Sequence, residues 1–232
     1  RNAARRELDA ERFIESFMRH TSTSPHYGII ASCDVASKMM EGDAGKSLVQ
    51  EMHDEAVAFR RAMLHVSEDL GRDDWWFKVW QPDGVERTLA KGDSSKPMVT
   101  SRPDWYLRPD ARWHGFDNLA DDYVLIDPIK VTLLTPGLSM DGEMGKLGIP
   151  AAILSKFLWS RGITVEKTNL YSVLFLFSMG ITKGKWSTLV TELLAFKDLY
   201  DANAPLSQSL PSLLEDNAAA YAGWGLRDLC AA

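Results

Sequence analysis

The chain has 232 residues, 45% hydrophobic and 25% charged, which suffices for one large domain or two modest ones and is too apolar for a disordered segment. A net charge of −6, with no long cluster of lysine and arginine, excludes an extended nucleic-acid-binding face. Two distant cysteines, Cys33 and Cys230, exclude a disulfide framework or zinc ribbon, and no apolar run reaches the ~20 residues of a membrane span, so the expected compartment is the cytoplasm.

In chain order, the basic start (Arg1, Arg5, Arg6) leads into a charged amphipathic pattern, not into the apolar core of a signal peptide. The first residue is arginine and the last stretch is LRDLCAA, which suggests a segment of a longer polypeptide. Ser24 as cap, Pro25 at the first helical position and Gly42 at the exit bracket a helix over 24–41. Leu48, Met52, Phe59, Met63, Val66 and Leu70 then recur at helical spacing and predict a second, long helix of the kind that joins two lobes.

The texture changes after Gly71. DDWWFKVW alternates like a strand, and its aromatic residues Trp75, Trp76, Phe77 and Trp80 read as core; residues 81–110 read as a long loop. YVLIDPIKVTLLTPG has strand character on both sides of Pro128, which predicts a bent, bulged or edge element. Pro150 opens and Gly162 closes a helix in GIPAAILSKFLWSRG.

ITVEKT alternates, so Ile163 and Val165 face one way while Thr164, Glu166 and Thr168 face the other. SVLFLFSMG is continuous enough for a strand covered on both sides. Trp186, Leu189, Val190, Leu193, Phe196 and Tyr200 mark an amphipathic helix, and short broken helices follow Pro205. The pattern is an α/β or α+β lobe reached through a long helix.

Two features carry candidate chemistry. The hydroxyl row Thr21 to Ser24 either caps a helix or offers donors to an anion beside the positive end of that helix, and the two uses are compatible. Glu166 is either a solvated strand residue paired with a base such as Lys167, or a carboxylate that holds a cationic group. The five histidines form no metal-ligand pair, so no metal is expected; His114, in WHGF, reads as part of a buried aromatic turn. Walker loops, G-x-G-x-x-G and serine nucleophile elbows are absent.

HTSTSPHYGIIASCDVASKMMEG, WHGF, DPIKVTLLTPG, GIPAAILSKFL, GITVEKT and LFLFSMGITKGKW, taken together and in this order, resemble the bacterial Orn/Lys/Arg decarboxylase family from about Phe17 to the C-terminus. The resemblance implies an α/β protein of aspartate-aminotransferase-like fold that uses pyridoxal 5'-phosphate. It implies the end of the cofactor-binding large domain and a connecting helix over 1–70, a small α/β domain over 71–203, and the start of a C-terminal domain over 204–232.

In the family, the lysine that carries the cofactor lies in an S-x-H-K motif upstream of the hydroxyl row; this sequence has no such motif, so no catalytic residue is expected in it. Ser22 matches the hydroxyl that reaches the cofactor phosphate of the partner subunit, and Glu166 matches the carboxylate that receives the distal ammonium of lysine or ornithine. The implied activity is decarboxylation of a basic amino acid, L-lysine to cadaverine and CO2, with arginine or ornithine as alternative substrates. The implied assembly is a homodimer with its active site at the interface, within which larger homo-oligomers are compatible. A non-catalytic dimerisation lobe of the same fold is the rival reading from another class.

Overall fold

The computed structural model describes residues 9–21, 24–71, 74–91, 99–111, 113–140 and 142–232. The chain divides into two compact units, Arg1–Leu48 and Val49–Ala232.

In the first unit, helix α1 (Ala10–His20) starts at Asp9, whose carboxylate accepts from the backbone N–H groups of Glu11 and Arg12. Helix α2 (Tyr27–Met39) is capped by His26, whose Nδ1 accepts from Ile29 N–H at 3.3 Å. The expected cap, Ser24, therefore lies two residues before the actual one, and Pro25 precedes the cap instead of opening the helix. Thr23, the other hydroxyl considered as a cap, lies outside the described residues. Neither helix has a buried residue, and Phe13, Ile14, Phe17, Tyr27, Ile29, Ile30 and Val35 are all exposed.

Gly42 does not end α2. It begins helix α3 (Gly42–Leu70) at φ +61°, which glycine adopts at no steric cost, after α2 has closed at Met40. The 29 residues of α3 confirm the long helical stripe, and from Ala56, Phe59 and Met63 onward its apolar face joins the core of the second unit.

That unit is built on a four-stranded sheet, β1 (Lys78–Trp80), β2 (Lys130–Leu134), β3 (Lys167–Thr168) and β4 (Ser172–Leu176), in the order β1-β2-β4-β3 with every pairing antiparallel. Val131, Leu133, Val173 and Phe175 are buried in one core with residues of α3, α5 (Ala151–Ser160) and α6 (Lys183–Asp201). The α6 stripe is as read from the sequence: Trp186, Leu189, Leu193, Phe196 and Tyr200 are buried. The four short helices α7 (Leu206–Ser209), α8 (Pro211–Asp216), α9 (Ala218–Tyr221) and α10 (Leu226–Ala231) follow, and Leu206, Leu210, Leu226 and Cys230 enter the same core. Mixed helix and strand agree with the α/β class.

Three local expectations change. The stretch read as a loop contains helix α4 (Asp83–Lys91) and a 3₁₀ turn (Arg102–Trp105), because Val85, Leu89 and Trp105 bury a small cluster with Val57 of α3. In YVLIDPIKVTLLTPG regular strand forms only after Pro128; before it, Leu125 makes an isolated bridge with Tyr106. Finally, β4 is buried on one face, at Val173 and Phe175, and only partly covered on the other, where Ser172 and Leu174 are half-buried and Leu176 is exposed.

Two buried cations hold this unit together. Arg60 is fully buried; it donates to Gln81 Oε1 at 3.2 Å and to the carbonyls of Pro128 and Lys130 at 3.1 Å, with its guanidinium 5.2 Å from the Trp105 ring. Burial pushes its pKa down to about 9 against the opposing charge of Asp127, so it stays charged at neutral pH. Lys197 of α6, only 4% exposed, bonds Asp74 and Asp201 at 2.6 Å each and lies 4.5 Å from the Trp75 ring. Lys197 is buried as an ion-paired group, whereas Arg60 is held by neutral oxygen acceptors.

Candidate functional site

Glu166 sits at the entry to β3, one of the two edge strands. Its backbone N–H donates to Leu174 O at 2.8 Å, and the ladder continues with Lys167 opposite Leu174 and Thr168 opposite Val173. Ile163 and Val165 pack on the main core, whereas Thr164, Glu166 and Thr168 are exposed, so the alternation read from ITVEKT holds although only two residues form regular strand. Among the described residues no cation lies within ion-pair distance of the Glu166 carboxylate. The pairing with Lys167 weighed above is not formed.

A groove of about 530 Å³ runs between α5 and this segment, lined by Ser155, Lys156, Trp159, Thr164 and Thr168 among others. The ring of Trp159 and the side chain of Leu170 nearby are 65% and 74% exposed. Ser155 Oγ and Thr168 Oγ1 are 2.7 Å apart and join α5 to β3.

The larger cleft, about 750 Å³, is elsewhere. It lies at the opposite side of the sheet, between the end of α3, the lead into β1 and the loop 135–147, and Glu166 does not line it. The loop is closed by its own backbone: Gly145 N–H donates to Gly137 O at 2.7 Å and Ser139 N–H to Glu143 O at 2.9 Å. Gly137 has φ +112°, and a Cβ there would come 2.3 Å from Leu147 O, so only glycine fits the turn. Glu166 lines neither this cleft nor the groove beside α5, so neither cavity by itself marks the site.

Of the other candidates, Ser22 lies outside the described residues. Its neighbour Thr21 donates its hydroxyl back to Phe17 O at 3.1 Å at the end of α1. His114 is buried; its Nε2 donates to Arg108 O at 2.9 Å and its Nδ1 accepts from Phe116 N–H at 3.1 Å, so both ring nitrogens hold the turn and neither is left for a ligand. No group of three or more metal-ligating side chains occurs among the described residues, and no described helix is long and apolar enough to cross a membrane. The sequence reading missed the Ser155–Thr168 contact, and no periodic signal points to it.

Comparison with known proteins completes the picture. The profile described as "Orn/Lys/Arg decarboxylase, major domain" matches residues 2–185. The chain belongs to the Orn/Lys/Arg decarboxylase family. It is 62% identical to lysine decarboxylase LdcA of Pseudomonas aeruginosa over 97% of its own length and 29% of that protein, and 42% identical to the biodegradative arginine decarboxylase of Escherichia coli over 96% of its length and 30% of that protein. The solved structure of lysine decarboxylase A from Pseudomonas aeruginosa superposes with a TM-score of 0.80 at 60% identity, covering 97% of this chain and 29% of that one. The chain thus spans about 29% of the length of the lysine decarboxylase it matches.

Proposed function

We propose that this chain is part of a pyridoxal 5'-phosphate-dependent lyase that decarboxylates L-lysine to cadaverine and CO2. The observation that carries the reading is an exposed carboxylate, Glu166, free of any ion pair among the described residues, in a chain 62% identical to a lysine decarboxylase. A distal ammonium approaching it would gain a charge-assisted hydrogen bond without first displacing a resident cation.

The residues present suit the cofactor by their donor chemistry, because a row of hydroxyls leads into the N-terminal end of α2, where phosphate oxygens are favoured. We assign the contact with the phosphate to Ser22, acting across a dimer interface. When bound, the cofactor would supply an electron sink for the loss of the substrate carboxyl group. Glu166 does the orienting: it fixes the far end of the substrate, so that the reacting end is held in one place. The lysine that would hold the cofactor covalently belongs to a motif this sequence does not contain, and we expect no turnover from the segment alone.

Further parts of the reading concern organisation. We assign residues 1–70 to the end of the large domain with its connecting helix, 71–203 to the small domain and 204–232 to the start of a C-terminal domain. The apolar faces of α1 and α2, which bury no residue, suit contact with the rest of the large domain and with the partner of a homodimer in the cytoplasm.

The 42% identity to an arginine decarboxylase favours one alternative, the same reaction on arginine. Assay of the complete enzyme on lysine, ornithine and arginine decides between them. The reading expects the highest kcat/KM on lysine; a higher value on arginine replaces it with the alternative, and no turnover of any of the three removes both.

A further inference from the structure

Glu166 lies at the start of an edge strand only two residues long, so the ladder to β4 restrains it from one side. A restraint from the other side comes from Ser155 in the middle of α5, whose Oγ is 2.7 Å from Thr168 Oγ1. Thr168 is two residues beyond Glu166, and the period of two places both side chains on the same face.

Most helix hydroxyls with a hydrogen bond among the described residues keep it within their own helix; Ser155, and Thr88 of α4, which donates to Asp104 Oδ1 at 3.3 Å, do not. Ser32, Thr188, Thr191 and Ser209 each bond the carbonyl four residues back, and Ser160 bonds the carbonyl three back, which is the usual local outlet for a hydroxyl in a helix. Ser155 instead reaches out of its helix to the strand. Serine is a poorer helix former than alanine, so in the interior of α5 it is a local disadvantage that the contact with Thr168 offsets.

We propose that Ser155 is a positioning residue for Glu166. By clamping Thr168 to α5 it holds the edge segment, and with it the Glu166 carboxylate two residues away, in a fixed position, so that a substrate ammonium meets an acceptor already in place. Nothing in the sequence pattern assigns Ser155 a role. The inference rests on the reading of Glu166 as the ammonium acceptor and goes beyond it.

The test is a double-mutant cycle in the complete enzyme with lysine as substrate. Ser155→Ala is expected to raise KM roughly 3- to 5-fold, the size of one modest hydrogen bond acting indirectly, while kcat stays within about twofold. Ser155→Thr, which keeps the hydroxyl, is expected to restore KM. In a Glu166→Gln background Ser155→Ala should have no further effect on KM, because there is no carboxylate left to place. Amide hydrogen exchange at Glu166 and Thr168 should quicken in Ser155→Ala, reporting the loosened edge directly.

A high KM in Glu166→Gln together with an unchanged KM in Ser155→Ala overturns the positioning role and leaves the substrate reading standing. So does a Ser155→Ala effect of equal size in both backgrounds, which marks a merely structural contact. An unchanged KM in Glu166→Gln removes the substrate reading itself, and the positioning role with it.

Discussion

Replacement of Lys197 by methionine removes the charge at the centre of the Asp74, Lys197, Asp201 cluster while keeping the length of the stem packed against Trp75. The side chain of Lys197 is 5% exposed, and its ammonium lies 2.6 Å from a carboxylate oxygen of each aspartate. Breaking a buried pair costs roughly 3–5 kcal/mol, but here both acids reach solvent and can rehydrate, which lowers the expected loss for Lys197→Met to about 2 kcal/mol. In urea, with a slope of about 2 kcal/mol per molar, that loss moves the midpoint down by roughly 1 M.

The pH dependence gives a second signature. The hydrogen bond from Lys197 holds the Asp74 pKa below its ordinary value, so the stability it confers is present above the unfolded value near ~4 and is lost as the pH falls through the folded one. Burial acts to lower the pKa of Lys197, but its hydrogen bonds to Asp201 and Asp74 outweigh this and raise it. Its contribution is therefore complete below about pH 10 and is lost as the pH rises through the folded value. The gap between wild type and Lys197→Met should be flat from about pH 5 to 9 and shrink towards both extremes. A variant as stable as wild type, or a gap that ignores acid, refutes the reasoning.

Burial pushes the Cys230 thiol up to about 12, so at pH 8 it should resist alkylation in the native chain and react only on unfolding, while exposed Cys33 is modified at once; prompt labelling of both would show that the C-terminal helices do not pack as described. Ser22→Ala in the complete, assembled enzyme should weaken retention of pyridoxal 5'-phosphate roughly tenfold, the size of one hydrogen bond to a charged oxygen. Equal cofactor affinity by equilibrium dialysis in the two proteins would remove Ser22 from the site.

The parts of the fold that could be read in the sequence are those where one period dominates. The stripe of α6 and the alternation at 163–168 each follow from burial on a single face. Helix α4 escaped because its nine residues carry just two buried positions, Val85 and Leu89, although Pro82 before it, Asp83 in its first turn and Lys91 at its end are ordinary boundary signals. The cap of α2 was misplaced because serine is the commoner choice, whereas here a histidine nitrogen does the work.

Buried charges were the least legible. Lys197 lies on a helix where a lysine ordinarily faces water, and its partner Asp74 is remote in sequence, so only the folded chain reveals the pair. At the candidate site, the position and direction of Glu166 were readable from alternation. Its lack of an ion-pair partner among the described residues and the contact from Ser155 were not, because both depend on how the chain packs around β3.

The central claim is that the Glu166 carboxylate receives the distal ammonium of the substrate, and the KM of Glu166→Gln for lysine in the complete enzyme tests it most directly. Loss of a hydrogen bond between charged groups, about 1.5–3 kcal/mol, predicts a rise of roughly 10- to 150-fold. A KM equal to that of wild type would contradict it.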